Sequence, residues 1–288
     1  MMKAYKGFNK DMTCRGFQYE EGKEYTTDTA EMCSNGFHAC EKPLDCFSYY
    51  NPGNSVFHEV ELDATDETSG DDSKRVGKRI KIGARLNIAK MVDASIEYVN
   101  ERIDKEKANS ATGDRSANSA TGDGSANSAT GDRSANSATG DRSANSATGN
   151  WSANSATGYG SANSATGYGS ANSATGDGSA NSATGYGSAN SATGDRSANS
   201  ATGYGSANVS TGYKCKNEGG IASINVGWGH DNICKGDVGS YIVLSEWGDF
   251  DGNKRPLIGA KMGYIDGITL KPDTWYTLKD GEFVEVDE

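Results

Sequence analysis

The chain predicts a parallel β-solenoid held between an α+β N-terminal module and a mainly β C-terminal cap. Three observations carry this reading. Twelve consecutive copies of a nine-residue unit, consensus A-N-S-A-T-G-x-x-S, run from Ala108 to Cys215. Repetition at a fixed short period marks a stacked-repeat fold, in which each unit packs only on its neighbours. Outside the repeat, apolar and polar residues return to ordinary strand and helix spacing. Only 34% of the 288 residues are hydrophobic and 38 are glycine, so no single large core is available. The expected divisions are 1–107 for the α/β module, 108–239 for the solenoid (regular units 108–215, degenerate units to 239) and 240–288 for the cap.

In the N-terminal module, Lys3–Phe8 is the first strand and Gly16–Tyr25 holds another around Phe17 and Tyr19. The stretch Gly36-Phe37-His38-Ala39-Cys40 follows a turn-like Ser34-Asn35. Pro43 opens a short helix, Leu44–Tyr50, at the position where proline is tolerated. Val56–Leu62 alternates as a strand, with Glu59 and Glu61 on one face and Val56, His58, Val60 and Leu62 on the other. Val76–Leu86 is a further strand. From Ile88 to Ile103 the apolar residues Ile88, Met91, Val92, Ile96, Val99 and Ile103 fall at helical spacing.

A repeat rich in Gly, Ser, Asn and Ala could equally be a flexible linker. Its decay argues for a solenoid. Val209 replaces the third position of the last full unit, and after a short break Ile224 and Val226 take the third and fifth positions, with Ile233 at a later third. Apolar substitution at alternating positions is the strand period, so positions one, three and five are expected to point inward, with the glycine at six marking the turn. Stacking every second unit aligns Asp114, Asp132, Asn150, Tyr168, Tyr186 and Tyr204, an orderly division from acidic to aromatic. Stacking every third gives no such order on two of its three faces. The coil is therefore read as 18 residues, two units, and six coils would span roughly 29 Å at strand spacing. Trp151, Tyr168, Tyr186 and Tyr204 then form one aromatic face, the candidate binding surface.

The C-terminal cap begins with a buried strand around Tyr241, Ile242, Val243 and Leu244. Asp251-Gly252 turns the chain into Leu257–Tyr264, and Asp280-Gly281 joins Trp275–Leu278 to Phe283–Val286. Asp249, Asp251 and Asn253 fit a hairpin turn better than a calcium loop, because Gly252 is misplaced and the closing Glu is missing.

The net charge of −11 sits in the flanks, about −4 before the repeat and −6 after it. This excludes a nucleic-acid binder, which needs a basic stripe against phosphates. No run of 18 apolar residues is present to span a membrane. The opening MMKAYKGF lacks the apolar core of a signal peptide, and six cysteines without an export signal read as cytoplasmic thiols. Cys33, His38, Cys40 and Cys46, with His58 nearby, lack the close Cys pairs of a zinc site, and the cysteines read as small buried thiols on a strand and a helix; no metal is expected.

Three resemblances add to this. The string N-S-A-T-G resembles the N-S-V-A-I-G repeat of trimeric autotransporter adhesin heads, which are left-handed parallel β-rolls with shorter coils; the likeness implies a solenoid. The order Y-K-G-F, G-F-H-A-C, a proline-led helix and F-H-E-V-E-L resembles ADP-ribosyltransferase chains. That likeness would place Lys6, His38 and Glu59 or Glu61 around NAD, although those enzymes carry Arg or His where Lys6 stands. The strings at Met2–Phe8, Gly36–Cys46 and Lys271–Val286 resemble an uncharacterised family of phage and gut-bacterial proteins, which implies a phage-type accessory protein in the host cytoplasm. The function read from these features is non-enzymatic: protein–protein interaction with a host protein, a defence protein being the natural target, with no cofactor. The alternative is an NAD-consuming transferase, and a further one a virion fibre component. Homo-oligomers stay open.

Overall fold

A computed structural model describes residues 1–68, 73–102, 108–252 and 254–286. Ile103 and Asn253 lie outside the described residues. The architecture is mostly β: a small N-terminal module, a parallel β-solenoid of about eight coils and a mainly β C-terminal region.

The module comprises Met2–Asn9 (β1), Thr13–Cys14 (β2), Phe17–Gln18 (β3), Glu24–Thr26 (β4), Phe37–Cys40 (β5), a 3₁₀ helix at Pro43–Ser48, Ser55–Thr68 (β6), Lys74–Leu86 (β7) and Ile88–Arg102 (α1). β1 pairs with β5 and β6, and β7 pairs with the same two, so four antiparallel strands close a ring. β4 adds to the outer edge of β7. Strand alternation gives β1 two cores to serve. Ala4 and Phe8 face the ring interior with Val56, Val60, Leu62, Ile80 and Ile82. Tyr5 faces the other way, into a cluster with Phe47, Phe57, Met91 and Val92 that also takes in Ala162, Ala180 and Ala198 of the solenoid. That second cluster is the joint between module and solenoid. An ion pair reinforces it: Arg142 Nε donates to Asp45 Oδ1 at 3.1 Å, and Asp45 is 2% exposed. The hydroxyls of Ser48 and Tyr159 also hydrogen-bond across it.

Each unit contributes one strand, and strands pair in parallel with the strand two units away, Ala126 beside Ala144 and Ala135 beside Ala153. The 18-residue coil is therefore present, with alternate units in two facing sheets. The inward positions differ from the sequence reading. Positions two and four, Asn and Ala, point inside, and positions one, three and five point out: Asn163 and Ala165 are fully buried, while Ile224, which pairs with Ala207 and so stands at position one and not three, is 41% exposed. The reason is an amide ladder. Asn145 Nδ2 donates to Asn163 Oδ1 at 3.0 Å and to Ser155 O at 2.8 Å, tying its strand both to the next coil and to the opposite strand of its own. Asn163 repeats this toward Asn181 and Ser173. Through the regular units each amide finds its own copy one coil on, so the polar interior is satisfied without large apolar side chains. The buried Ser at position nine donates to the carbonyl of a position-six glycine, as Ser143 does to Gly140 O at 2.9 Å.

Position one explains its own alanine. On the sheet that α1 covers, Ala144, Ala162 and Ala180 are at most 1% exposed, because only a methyl lets the helix lie so close. On the opposite sheet the equivalent Ala135, Ala153 and Ala171 are open to solvent.

The parallel ladder does not stop at residue 239. Tyr241–Trp247 pairs in parallel with Ile224–Gly227 and completes the last coil. Leu257–Tyr264 then adds antiparallel to one sheet, and Trp275–Lys279 with Glu282–Val286 to the other. Asp280 (φ 52°) and Gly281 (φ 74°) make the two-residue turn expected between them. Here the interior becomes apolar. Cys234 ends one Asn column, and Ile242, Leu244, Ile265 and Tyr276 pack beyond it. Burial pushes the Cys234 and Cys215 thiols up to about 12, so both stay protonated. No disulfide joins the six cysteines.

Candidate functional site

Two features stand out on this scaffold, one on the solenoid and one in the module. Along one edge of the solenoid Trp151, Tyr168, Tyr186 and Tyr204 stand in a row, 57%, 46%, 51% and 52% exposed. Their ring centroids are 4.9, 5.4 and 5.1 Å apart, the first contact edge-on and the other two stacked. The row exists because successive coils place position seven one strand spacing apart, which suits offset aromatic stacking. It also extends further than the sequence suggested. Gly205 N–H donates to Ile221 O just as Gly187 N–H donates to Tyr204 O, so Ile221 takes the next place. Carrying the Lys216–Ile233 register forward puts Val238 after it. Ile221 and Val238 are 54% and 50% exposed. A one-residue shortening after Tyr204 hides them from a strict nine-residue count; the alternation of exposed apolar residues at 17-residue steps is the signal that reveals them.

Where position seven is acidic, its carboxylate is spent on the fold. Asp132 Oδ1 accepts the N–H of Asn150 at 2.9 Å, and Asp141 Oδ1 that of Tyr159 at 2.9 Å. Among the described residues no group of three or more His, Cys, Asp or Glu could hold a metal ion. No helix among them is long and apolar enough to cross a membrane.

The second feature is a cavity of about 380 Å³ in the module, lined by Lys6, Arg15, Phe17, Tyr19, His38, Tyr50 and Lys74 among others. No Asp or Glu is among its described lining residues. Lys6 reaches it from inside the ring, where its Nζ donates to His38 O at 2.8 Å. Cys33 N–H donates to His38 Nε2 at 3.0 Å, so the imidazole staples the loop before β5. Burial first, then the positive charges of Lys6, Lys74 and Arg15, hold His38 below its ordinary value of 6.5.

The residues set out for NAD chemistry do not converge. Lys6 and His38 meet at the cavity, but Glu59 and Glu61 lie on the outer face of β6, bound to Lys3 at 3.3 Å and Lys81 at 3.7 Å. The cause is strand alternation. Lys6 pairs across the ladder with His58, whereas Glu59 pairs with Tyr5 and shares its outward face. His58 itself is buried, its Nδ1 donating to Gly83 O at 2.9 Å, and burial holds it neutral.

Both histidines are depressed in the folded state, so the unfolded chain takes up protons more readily near 6.5. The stability they confer is present above that value and lost as pH falls through the lowered folded values. The melting temperature should fall between pH 7 and pH 5, and His58→Gln should shrink that fall. An unchanged slope in the variant would remove His58 from the account.

One family model matches: a domain of unknown function (DUF7666), over residues 2–94. The matched segment contains every residue that lines the cavity and stops before the solenoid. No curated protein and no solved structure matches the chain.

Proposed function

We propose that this is a non-enzymatic binding protein whose solenoid presents the aromatic edge to a partner protein. The observation that carries this reading is the unbroken exposed row from Trp151 through Tyr204 to Val238. Single exposed apolar residues are ordinary; a contiguous ridge of them on a rigid scaffold is the mark of an interaction surface. Aromatic side chains also dominate binding energy where they are found at interfaces, at about 2 kcal/mol or more each for the strongest. The solenoid serves as a rigid binding face, with the module docked against the same coils that carry the row. Following the resemblance of both flanks to phage and gut-bacterial proteins, the partner is a host protein in the bacterial cytoplasm, and inhibition of a defence protein is the specific form proposed.

The repeat supplies its own conservative control. Asn150 occupies the same column as the tyrosines and accepts the N–H of Tyr168 at 3.0 Å. Tyr168→Asn, Tyr186→Asn and Tyr204→Asn together should therefore keep the coil intact and add backbone acceptors. In a pull-down from host lysate the intact chain should retain a specific protein, and the triple variant should bind it at least about 100-fold more weakly. Equal retention by a folded triple variant would remove the ridge from the interface.

A further inference from the structure

We propose that the cavity of the N-terminal module binds a small aromatic phosphate of the nucleoside-monophosphate class. Lys6, Arg15 and Lys74 are among its lining residues, Lys74 Nζ lying 4.7 Å from the centroid of the Tyr49 ring, and no Asp or Glu is among the described ones. Lys6 is the decisive one. It is 6% exposed, and its ammonium is met by one carbonyl and by the rings of Phe8 and Tyr19 at 5.4 and 5.7 Å. Among the described residues no carboxylate pairs with it. An ammonium withdrawn from water is costly unless an opposite charge answers it, and Lys6 lines the cavity. Arg15 adds a planar fork suited to phosphate oxygens.

The rest of the wall suits a flat ring. Phe17, Tyr19 and Tyr50 line the cavity, and Phe17 is 46% exposed although its ring sits 4.8 Å from that of Tyr19. Aromatic faces left open beside cations are how proteins hold a base and its phosphate together. A volume of about 380 Å³ falls in the range of small-molecule sites. The inference concerns binding alone, since Glu59 and Glu61 lie on the other face of the ring. It is independent of the partner proposed for the solenoid.

Calorimetric titration of the full chain with AMP, GMP, CMP and UMP tests it, with adenosine and inorganic phosphate as separate arms. At least one monophosphate should bind with a dissociation constant below about 1 mM, and the nucleoside and the bare phosphate should each bind at least about 10-fold more weakly. The double variant Arg15→Gln/Lys74→Gln, both on accessible positions, should lose at least about 10-fold while melting as the parent does. Lys6→Met should lose binding as well; because Lys6 is buried, the double variant carries the test if Lys6→Met fails to fold. No monophosphate binding at 1 mM, adenosine or phosphate bound as tightly as the nucleotide, or an unchanged double variant would each overturn the proposal.

Discussion

Replacing Gly185 with alanine should cost the protein about 3 kcal/mol or more, among the largest effects a single methyl can produce. A Cβ there would overlap the carbonyl oxygen of Gly167 in the preceding coil, and those are backbone atoms held at strand spacing. Nothing flexible can move aside. Two residues later, Gly187→Ala meets no atom within 4 Å and need only tolerate a φ of +63°, a conformation that costs about 1 kcal/mol. Arg196 holds the equivalent place at φ 54°, which shows that the solenoid accepts a side chain there. Chemical denaturation of the two variants should separate them by about 2 kcal/mol. Equal losses would mean that turn conformation, and not close stacking, requires glycine at position six.

The second large effect belongs to the amide ladder. Asn172 is 3% exposed; it accepts from Asn154 Nδ2 at 3.0 Å and donates to Asn190 Oδ1 at 3.0 Å and Ser182 O at 2.7 Å. Asn172→Ala removes all three bonds and strands buried partners above, below and across, at a cost of about 2–4 kcal/mol. Its neighbour Ser173 points to solvent, so Ser173→Ala should stay within about 0.5 kcal/mol. The same denaturation assay decides it. A larger loss at Ser173 would restore the opposite facing of the strand.

That contrast marks where the sequence stops being readable. The 18-residue coil was legible because position seven varies, and only one stacking sorts its variants into order. Which face is inward was not legible, since the usual rule places apolar residues inside and the regular unit offers only Ala, Asn, Ser and Thr. Ile224 and Val226 then pointed the wrong way: they sit beside Tyr241 and Val243 on an outer face that turns apolar near the end of the solenoid. Buried asparagine is unfavourable in isolation and favourable only where translation supplies an identical partner, a property of the stack that no single unit displays. In the module, alternation along Val56–Leu62 already set Glu59 and Glu61 apart from His58. The missing fact was the register that puts Lys6 opposite His58, which local pattern does not encode.

Two units to a coil has a bearing on how such a gene can change. Near-identical tandem units invite slippage during replication, and each event adds or removes nine codons. Loss of one unit between Trp151 and Tyr168 would turn everything downstream through half a revolution, carrying tyrosines to the edge where Asp177 and Asp195 now stand and splitting the row from Trp151. Loss or gain of a pair leaves every side chain on its own edge and alters only the distance between the two ends, by about 4.8 Å a step. Changes in pairs therefore keep both the ridge and its orientation to the first coils, and the repeat becomes a gauge that can be reset in length without being reset in orientation.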